Sequence, residues 1–392
     1  MDHRKSITRR MFLTLSAAAG MLARRGSAGS LGRSGYQVFS EGRIGKLRLK
    51  NRLVKAATAE NACHDGEMTD AGIEIYRDLA HGGVGLIITG AMAVVATGHS
   101  NGSFTDIHSD RFVGPIGRIA DAVHQTGKGC QIVAQIIHTG TQGPTSELVG
   151  PSTKGWPGTT KQPRALTTRE VEQIATQFAQ AARRVKEGGF DGVEIHGAHG
   201  YLLSSFLSPY TNTRTDRYGG SLENRVQIIR EIVTQARALV GDSFPILLKM
   251  NCDDNVEGGI NLDIFPALAK VIEKTGVQAI EASGNNAARG PSEESYFLKY
   301  AQRLSLKVPV VLTGGNRSIE RLEEIMKTGA VNFFGMARPL IREPDLPNRW
   351  LEGRGEDTAT CISCNRCLDG FRQGKITRCR VNEPVVGEKA KG

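Results

Sequence analysis

Two imidazoles and a phenol fall within six consecutive positions, His196-Gly197-Ala198-His199-Gly200-Tyr201. A short apolar run, with Gly192, Val193 and Ile195, leads into them. The residues between them are small, so the three polar side chains are presented rather than packed under bulk. An imidazole can donate a hydrogen bond to an oxygen that gains negative charge. A phenol with a pKa near ~10 stays protonated at neutral pH and can act as a general acid. Two plainer readings compete: a structural turn with two satisfied histidines, and a His-x-x-His grip on zinc. A second group is Cys361-x2-Cys364-x2-Cys367-x11-Cys379. Thiolates at this density are soft ligands suited to an iron–sulfur cluster or to zinc. The other three cysteines, Cys63, Cys130 and Cys252, are scattered and read as small buried residues.

The elements that must position these groups alternate between strand and helix from Tyr36 onward. Predicted strands run Leu53–Ala57, Val84–Thr89, Ile132–Ile137, the apolar run before His196, Ile246–Met250, Val277–Glu281, Val308–Thr313 and Val331–Phe334. Helices are expected over Asp70–His81, around Ile116–His124, after the capping box Thr167/Glu170, from Leu222 to Val240 with Gly241 as its stop, and from Ser318 to Lys327. Eight short strands alternating with helices imply parallel pairing and right-handed crossovers, hence an α/β fold of the (β/α)8 TIM-barrel type. Chemistry in such a barrel sits at the C-terminal ends of the strands. His196 to Tyr201 lie at the end of strand four. Thr313-Gly314-Gly315-Asn316 and Gly335-Met336-Ala337-Arg338 follow strands seven and eight, where barrels bind phosphate. The long loop from Gly140 to Arg164, with Trp156, is expected to lie over the mouth as a lid.

The stretch from Asp191 to Arg225 closely resembles the signature of the old yellow enzyme family of FMN-dependent ene-reductases. The matching residues are Glu194-Ile195-His196, His199-Gly200-Tyr201-Leu202, and Arg214-Thr215-Asp216 through Tyr218-Gly219-Gly220 to Glu223-Asn224-Arg225. The resemblance implies that His196 and His199 hold the carbonyl or nitro oxygen of the substrate and that Tyr201 delivers a proton. It implies FMN contacts at Ala56, Ala57 and Thr58 after strand one, at Ala91, at Gln135 on the pyrimidine edge, and at Lys249. The phosphate would meet Gly314, Gly315, Ala337 and Arg338. Lys249 stands where most relatives have arginine, keeping the charge and losing the bidentate fork. The cysteine segment resembles that of 2,4-dienoyl-CoA reductase and trimethylamine dehydrogenase. This implies a [4Fe–4S] cluster on Cys361, Cys364, Cys367 and Cys379, ahead of zinc, a vestigial site or disulfides. Those relatives place one more residue between the second and third cysteines, and carry a further FAD- or ADP-binding half. NAD(P)H, or a separate electron-donor protein working through the cluster, is the expected source of electrons.

Composition narrows the remaining classes. The chain has 392 residues and a formal charge of +10. Residues 1–35 hold seven Lys/Arg against Asp2, and taking away their +6 leaves +4, too mild to argue for nucleic acid. No apolar run approaches the ~20 residues that span a bilayer. Ser6-Ile7-Thr8-Arg9-Arg10-Met11-Phe12-Leu13 resembles a twin-arginine export signal, which makes the periplasm the expected location and the cytoplasm the alternative. The expected organisation is a leader over 1–35, an FMN-binding barrel over 36–355 and a cysteine-rich extension over 356–392. The expected activity is hydride transfer to an electron-poor small molecule; an oligomer is compatible with all of this. Two rivals remain at this point: a Schiff-base lyase with Lys249 as nucleophile, and a non-catalytic flavin or cluster redox sensor.

Overall fold

A computed structural model describes residues 33–96, 104–142, 147–159, 161–285, 288–290 and 292–383. The expected export signal lies outside the described residues. Eight parallel strands close on themselves: β1 (Leu53–Lys55), β2 (Leu86–Ala93), β3 (Gln131–Ile137), β4 (Gly192–Gly197), β5 (Ile246–Asp253), β6 (Ala279–Gly284), β7 (Val310–Thr313) and β8 (Phe333–Met336). Each pairs with its sequence neighbour, and β8 pairs β1 while β1 pairs β2. Helices return the chain on the outside: α1 (Asp70–His81), α2 (Val113–Thr126), α3 (Thr168–Glu187), α4 (Leu202–Leu207), α5 (Leu222–Val240), α6 (Ile264–Glu273), α7 (Leu298–Ala301) and α8 (Ile319–Lys327). The (β/α)8 barrel is therefore the observed fold.

Local chemistry accounts for the helix boundaries. The Thr167 hydroxyl accepts from the Glu170 amide while the Glu170 carboxylate accepts from the Thr167 amide, the reciprocal capping box. Val171, Ile174, Phe178, Ala182 and Val185 then bury one face of α3, most heavily against α5. Strand ends differ from expectation. β2 continues through Gly90 and Ala91 to Ala93, and β5 continues through Asn251 to Asp253. Both strands shift register on the way, at Ile88/Ala91 and at Asn251/Asp253. The small and polar residues there look like loop, yet the ladder carries on past the irregularity.

The Gly140–Arg164 loop is not a lid in its described part. Trp156 is buried, its indole N–H donates to Ser205 Oγ at 2.9 Å, and its ring stacks on Tyr210 with centroids 6.1 Å apart. Ser152 Oγ donates to the Thr211 carbonyl at 2.6 Å. The loop is thus drawn sideways onto α4 and the segment after it. What closes one side of the mouth is the C-terminal segment. Thr377 donates through its amide to the Glu60 carbonyl and through its hydroxyl to the Ala59 carbonyl, each at 2.8 Å. Asn61 Nδ2 donates to the Lys375 carbonyl at 3.0 Å. α9 (Arg338–Arg342), α10 (Leu346–Leu351) and α11 (Arg366–Arg372) follow β8 among the described residues.

Candidate functional site at the C-terminal mouth of the barrel

β4 delivers His196 at its last turn of pleat, and the chain then bends sharply. His199 and Gly200 take left-handed conformations, with φ of +60° and +78°. That bend folds Tyr201 back, so that the His196 ring lies 5.2 Å from that of His199 and 5.0 Å from that of Tyr201, both edge-on. The Ala198 amide donates to His196 Nδ1 at 3.3 Å. With Nδ1 accepting, the proton of a neutral His196 resides on Nε2, which makes that atom a donor. The His199 amide donates to Asn251 Oδ1 at 2.9 Å, and its ring Nε2 shares a 2.8 Å hydrogen bond with Ser283 Oγ. Asn251 and Ser283 thus orient His199. Both lie at strand ends in no recognisable motif and were not among the expected site residues.

Burial sets the protonation of these groups. It drives the His196 pKa well below its ordinary value, aided by His199 and by the Lys249 charge. His199 is brought down to about 3, by burial first and Lys249 second. Both imidazoles are therefore neutral near pH 7. Burial also raises the Tyr201 phenol, which keeps its proton.

These three residues open onto a cavity of about 360 Å³. Every expected cofactor contact lines it: Ala56, Ala57 and Thr58 after β1, Ala91 on β2, Gln135 on β3, Lys249 on β5, Gly314 and Gly315 after β7, and Ala337 and Arg338 after β8. Cys361, Cys367 and Phe371 come from the C-terminal segment to the same wall. The volume is within the range of small-molecule sites. Gly314 and Gly315 have φ of +134° and +76°, and a Cβ at either would come within 2.7 Å of the Tyr296 ring or nearer. Only glycine fits there, leaving bare backbone beside the Arg338 guanidinium, as a phosphate tail requires. The residues present therefore fit FMN: a basic, glycine-lined end for the phosphate, small residues for the ring face, and Gln135 with Lys249 for a polar edge.

Beneath the mouth lies a charged layer. Lys249 Nζ is 2.7 Å from Glu281 Oε1, both buried. Gln135 Nε2 donates to Glu194 Oε2 at 2.7 Å. Lys55 Nζ donates to the Ala56 carbonyl at 2.7 Å and to Thr58 Oγ1 at 2.5 Å, and burial brings its pKa down to about 8. Barrel interiors are ordinarily packed with branched apolar residues. Lys249 is thus committed to a buried ion pair, which leaves it poorly placed for attack on a carbonyl.

Cys361, Cys364, Cys367 and Cys379 are all free and border one small cavity with Arg338 and Arg342. Arg342 Nη1 donates to Cys379 Sγ at 3.4 Å. Arg338 Nη1 donates to Asn365 Oδ1 at 2.7 Å, tying this segment to the glycine-lined end of the large cavity. Among the described residues no three His, Cys, Asp or Glu side chains converge as ligands of a single ion. Of the scattered cysteines, Cys130 and Cys252 are buried and Cys63 is half-buried; burial pushes the Cys63 and Cys130 thiols up to about 12. The rest of the Asp191–Arg225 signature is structural. Arg214 pairs with Asp216 at 2.6 Å, Asn212 Nδ2 donates to the Tyr218 carbonyl at 2.7 Å, and Asn224 Nδ2 to that of Gly219 at 2.9 Å, bracing the turn into α5.

Residues 37–357 match the family described as NADH:flavin oxidoreductase / NADH oxidase. An NADH oxidase from Thermoanaerobacter brockii is 37% identical over 90% of this chain and 56% of its own length. A 4,4'-dithiodibutanoate disulfide reductase from Rhodococcus erythropolis is 31% identical over 90% of this chain and 97% of its own. The structure of an old yellow enzyme homologue from Zymomonas mobilis superposes with a TM-score of 0.72 at 25% identity, over 83% of this chain and 96% of that one. The chain spans about half the length of the first two curated relatives it matches.

Proposed function

We propose, from the premise that this chain belongs to the NADH:flavin oxidoreductase / NADH oxidase family and is a flavin-dependent oxidoreductase of the old yellow enzyme type, that it reduces an electron-poor small molecule such as an enone, quinone or nitro compound. FMN would be held by Gly314, Gly315, Ala337 and Arg338 at its phosphate, by Ala56, Ala57, Thr58 and Ala91 along the ring, and by Gln135 and Lys249 at the polar edge. When bound, it supplies two-electron hydride chemistry at the mouth. His196, neutral with its proton on Nε2, donates to the activating oxygen of the substrate, where negative charge grows as the double bond is reduced. His199, fixed by Ser283 and Asn251, flanks the same oxygen. Tyr201 keeps a proton over the cavity and gives it to the α-carbon. Phe104, Ile137 and Phe371 on the cavity wall exclude water from that transfer.

The observation that carries this reading is the convergence of a donor-tautomer His196, His199 and a protonated Tyr201 on a cavity whose far end is glycine-lined and basic. The lyase alternative finds no support in the ion-paired Lys249. For the cysteines, four free thiols bordering one small cavity at C-x2-C-x2-C-x11-C spacing support a [4Fe–4S] cluster on Cys361, Cys364, Cys367 and Cys379, ahead of zinc. Electrons would come from NAD(P)H or from a separate donor protein through that cluster. The twin-arginine-like leader supports a periplasmic setting. Anaerobic purification followed by a visible spectrum, released-flavin identification, iron and sulfide analysis and enone turnover tests the flavin, the cluster and the activity together. Yellow protein carrying FMN that consumes an enone is the expected result. A colourless protein, or flavin that is never oxidised by enone, quinone or nitro compound, refutes the function.

A further inference from the structure

The charged layer below the mouth contains two carboxyls and one cation within reach of them. Gln135 on β3, Glu194 on β4, Lys249 on β5 and Glu281 on β6 stand on four neighbouring strands. Glu194 and Glu281 have no exposure to solvent, and Lys249 almost none. A carboxylate removed from water persists only with a cation or several donors. Glu281 has its cation, Lys249 Nζ at 2.7 Å from Oε1, and no N–H or alcohol donor other than Lys249 reaches either of its oxygens among the described residues. Glu194 has one amide donor, Gln135 Nε2; its other oxygen, Oε1, receives no donor from a described residue. The remaining titratable groups facing the pair are Lys55, His196 and His199. Lys55 is bound to the Ala56 carbonyl and Thr58 and answers the buried Glu60, and both imidazoles are neutral. Two adjacent carboxylates in a dry layer do not both ionise.

We propose that Glu194 stands as a neutral carboxylic acid and donates its proton as a hydrogen bond to Glu281, which alone carries the negative charge and positions the Lys249 cation at the cavity. Burial and then the Glu281 charge push the Glu194 pKa well above the carboxylate range. Burial acts to raise Glu281 too, but the Lys249 charge and the hydrogen bond from Glu194 hold it below its ordinary value. The pair therefore shares one proton, and the cluster of Glu194, Glu281 and Lys249 is neutral overall. The consequence for redox balance rests on the flavin reading above: the positive charge felt by an anionic reduced ring is set through Glu281, with Glu194 electrically silent.

Glu194→Gln separates this from a purely structural role. Glutamine can accept from Gln135 and donate to Glu281, as the neutral acid does, so nothing is lost if the proposal holds. The variant should melt with wild type and keep the ratio of reduced to oxidised cofactor affinity within about threefold, roughly 15 mV for a two-electron couple. It should also lose one deuterium-sensitive protonated-carboxyl band from the infrared spectrum at neutral pH. The double variant Glu194→Gln/Glu281→Gln leaves Lys249 uncompensated and should favour the reduced cofactor at least tenfold, about 30 mV. The double variant is needed because in Glu281→Gln alone Glu194 can release its proton and take over Lys249. Three results overturn the proposal: Glu194→Gln that melts well below wild type or fails to fold, a single variant that shifts the potential as much as the double, or an infrared spectrum that keeps every protonated-carboxyl band. The melting and infrared arms need no bound flavin. They decide the protonation state even where the protein proves colourless, which separates failure here from failure of the proposed function.

Discussion

Tyr201→Phe isolates the proton-delivery step, because the structure gives the hydroxyl little else to do. The ring packs against Ala91, Phe104 and Ile137, contacts that phenylalanine retains. Burial is the sole cause of the raised phenol pKa, so no neighbouring charge depends on the hydroxyl. Folding stability should therefore change little. Among the described residues the other phenol on the cavity wall is Tyr296, which lies at the Gly314–Gly315 end and cannot stand in. Losing a positioned general acid costs roughly 10²- to 10⁴-fold in the step it serves. The expected loss is thus at least about 10²-fold in oxidation of the reduced enzyme by an enone. Reduction by NAD(P)H requires no proton from Tyr201 and should stay within twofold or so of wild type. Rapid-mixing measurements of the two half-reactions read these separately. In wild type the active form needs Tyr201 protonated and both imidazoles neutral. Tyr201 is raised and the imidazoles are lowered, His199 to about 3. The oxidative rate should be flat over roughly pH 5 to 9, bending only beyond those limits. Equal losses in both half-reactions, or a wild-type rate that titrates near the ordinary histidine pKa of ~6.5, would refute the assignment.

Arg338→Ala removes a guanidinium that also holds Asn365 at 2.7 Å; FMN affinity should fall roughly tenfold or more, measured by fluorescence titration of apoprotein, with some loosening of the cysteine segment. Cys379→Ser should cut bound iron and sulfide sharply while leaving flavin content intact, because Cys379 lies outside the large cavity; unchanged iron would exclude it as a ligand. Asp216→Asn should cost about 1 kcal/mol near pH 7, since Asp216 is partly exposed but paired with Arg214 and accepts from the Tyr218 amide. Its pKa is depressed to about 2, chiefly by Arg214. That stabilisation is present above the unfolded value of ~3.9 and disappears as pH falls through about 2, so the difference in urea midpoint between variant and wild type should close over that window.

Much of the barrel was legible because parallel strands covered on both faces read as apolar runs, and helices announce their caps. Asp70–His81 and the Thr167/Glu170 box came out at the expected residues. Strand ends were harder: Gly90-Ala91 and Asn251-Cys252-Asp253 look like loop, and a register shift that keeps the ladder running has no local signal. The residues expected at the site are legible through an irregular motif and line the cavity, while Asn251 and Ser283, which hold His199, carry no such signal. A small polar residue at a strand end orients its neighbour only once the barrel has closed. The lid was misplaced for a similar reason, since nothing near Trp156 names Ser205 as its partner. Likewise nothing in Thr377 points to the carbonyls of Ala59 and Glu60.

The charged layer had a signal of a different kind. Leu53-Val54-Lys55, Val193-Glu194-Ile195, Leu248-Lys249-Met250 and Ile280-Glu281-Ala282 each set one ionisable residue inside an apolar strand. A single such interruption reads as an edge or an error. Four of them, on β1, β4, β5 and β6, call for buried partners: Lys249 and Glu281 answer each other, Gln135 answers Glu194, and Lys55 is held by the Ala56 carbonyl, Thr58 and the charge of Glu60. Two acids and two bases so placed are an expensive way to fill a barrel that branched aliphatics fill more stably. Their position beneath the cavity, with Lys249 reaching its wall, would give that expense a use under the proposed flavin: a fixed field that needs no water to maintain it. The same argument gives the layer a direction. Lys249 lines the cavity and its counter-charge Glu281 does not, so the ion pair presents its positive end to the mouth.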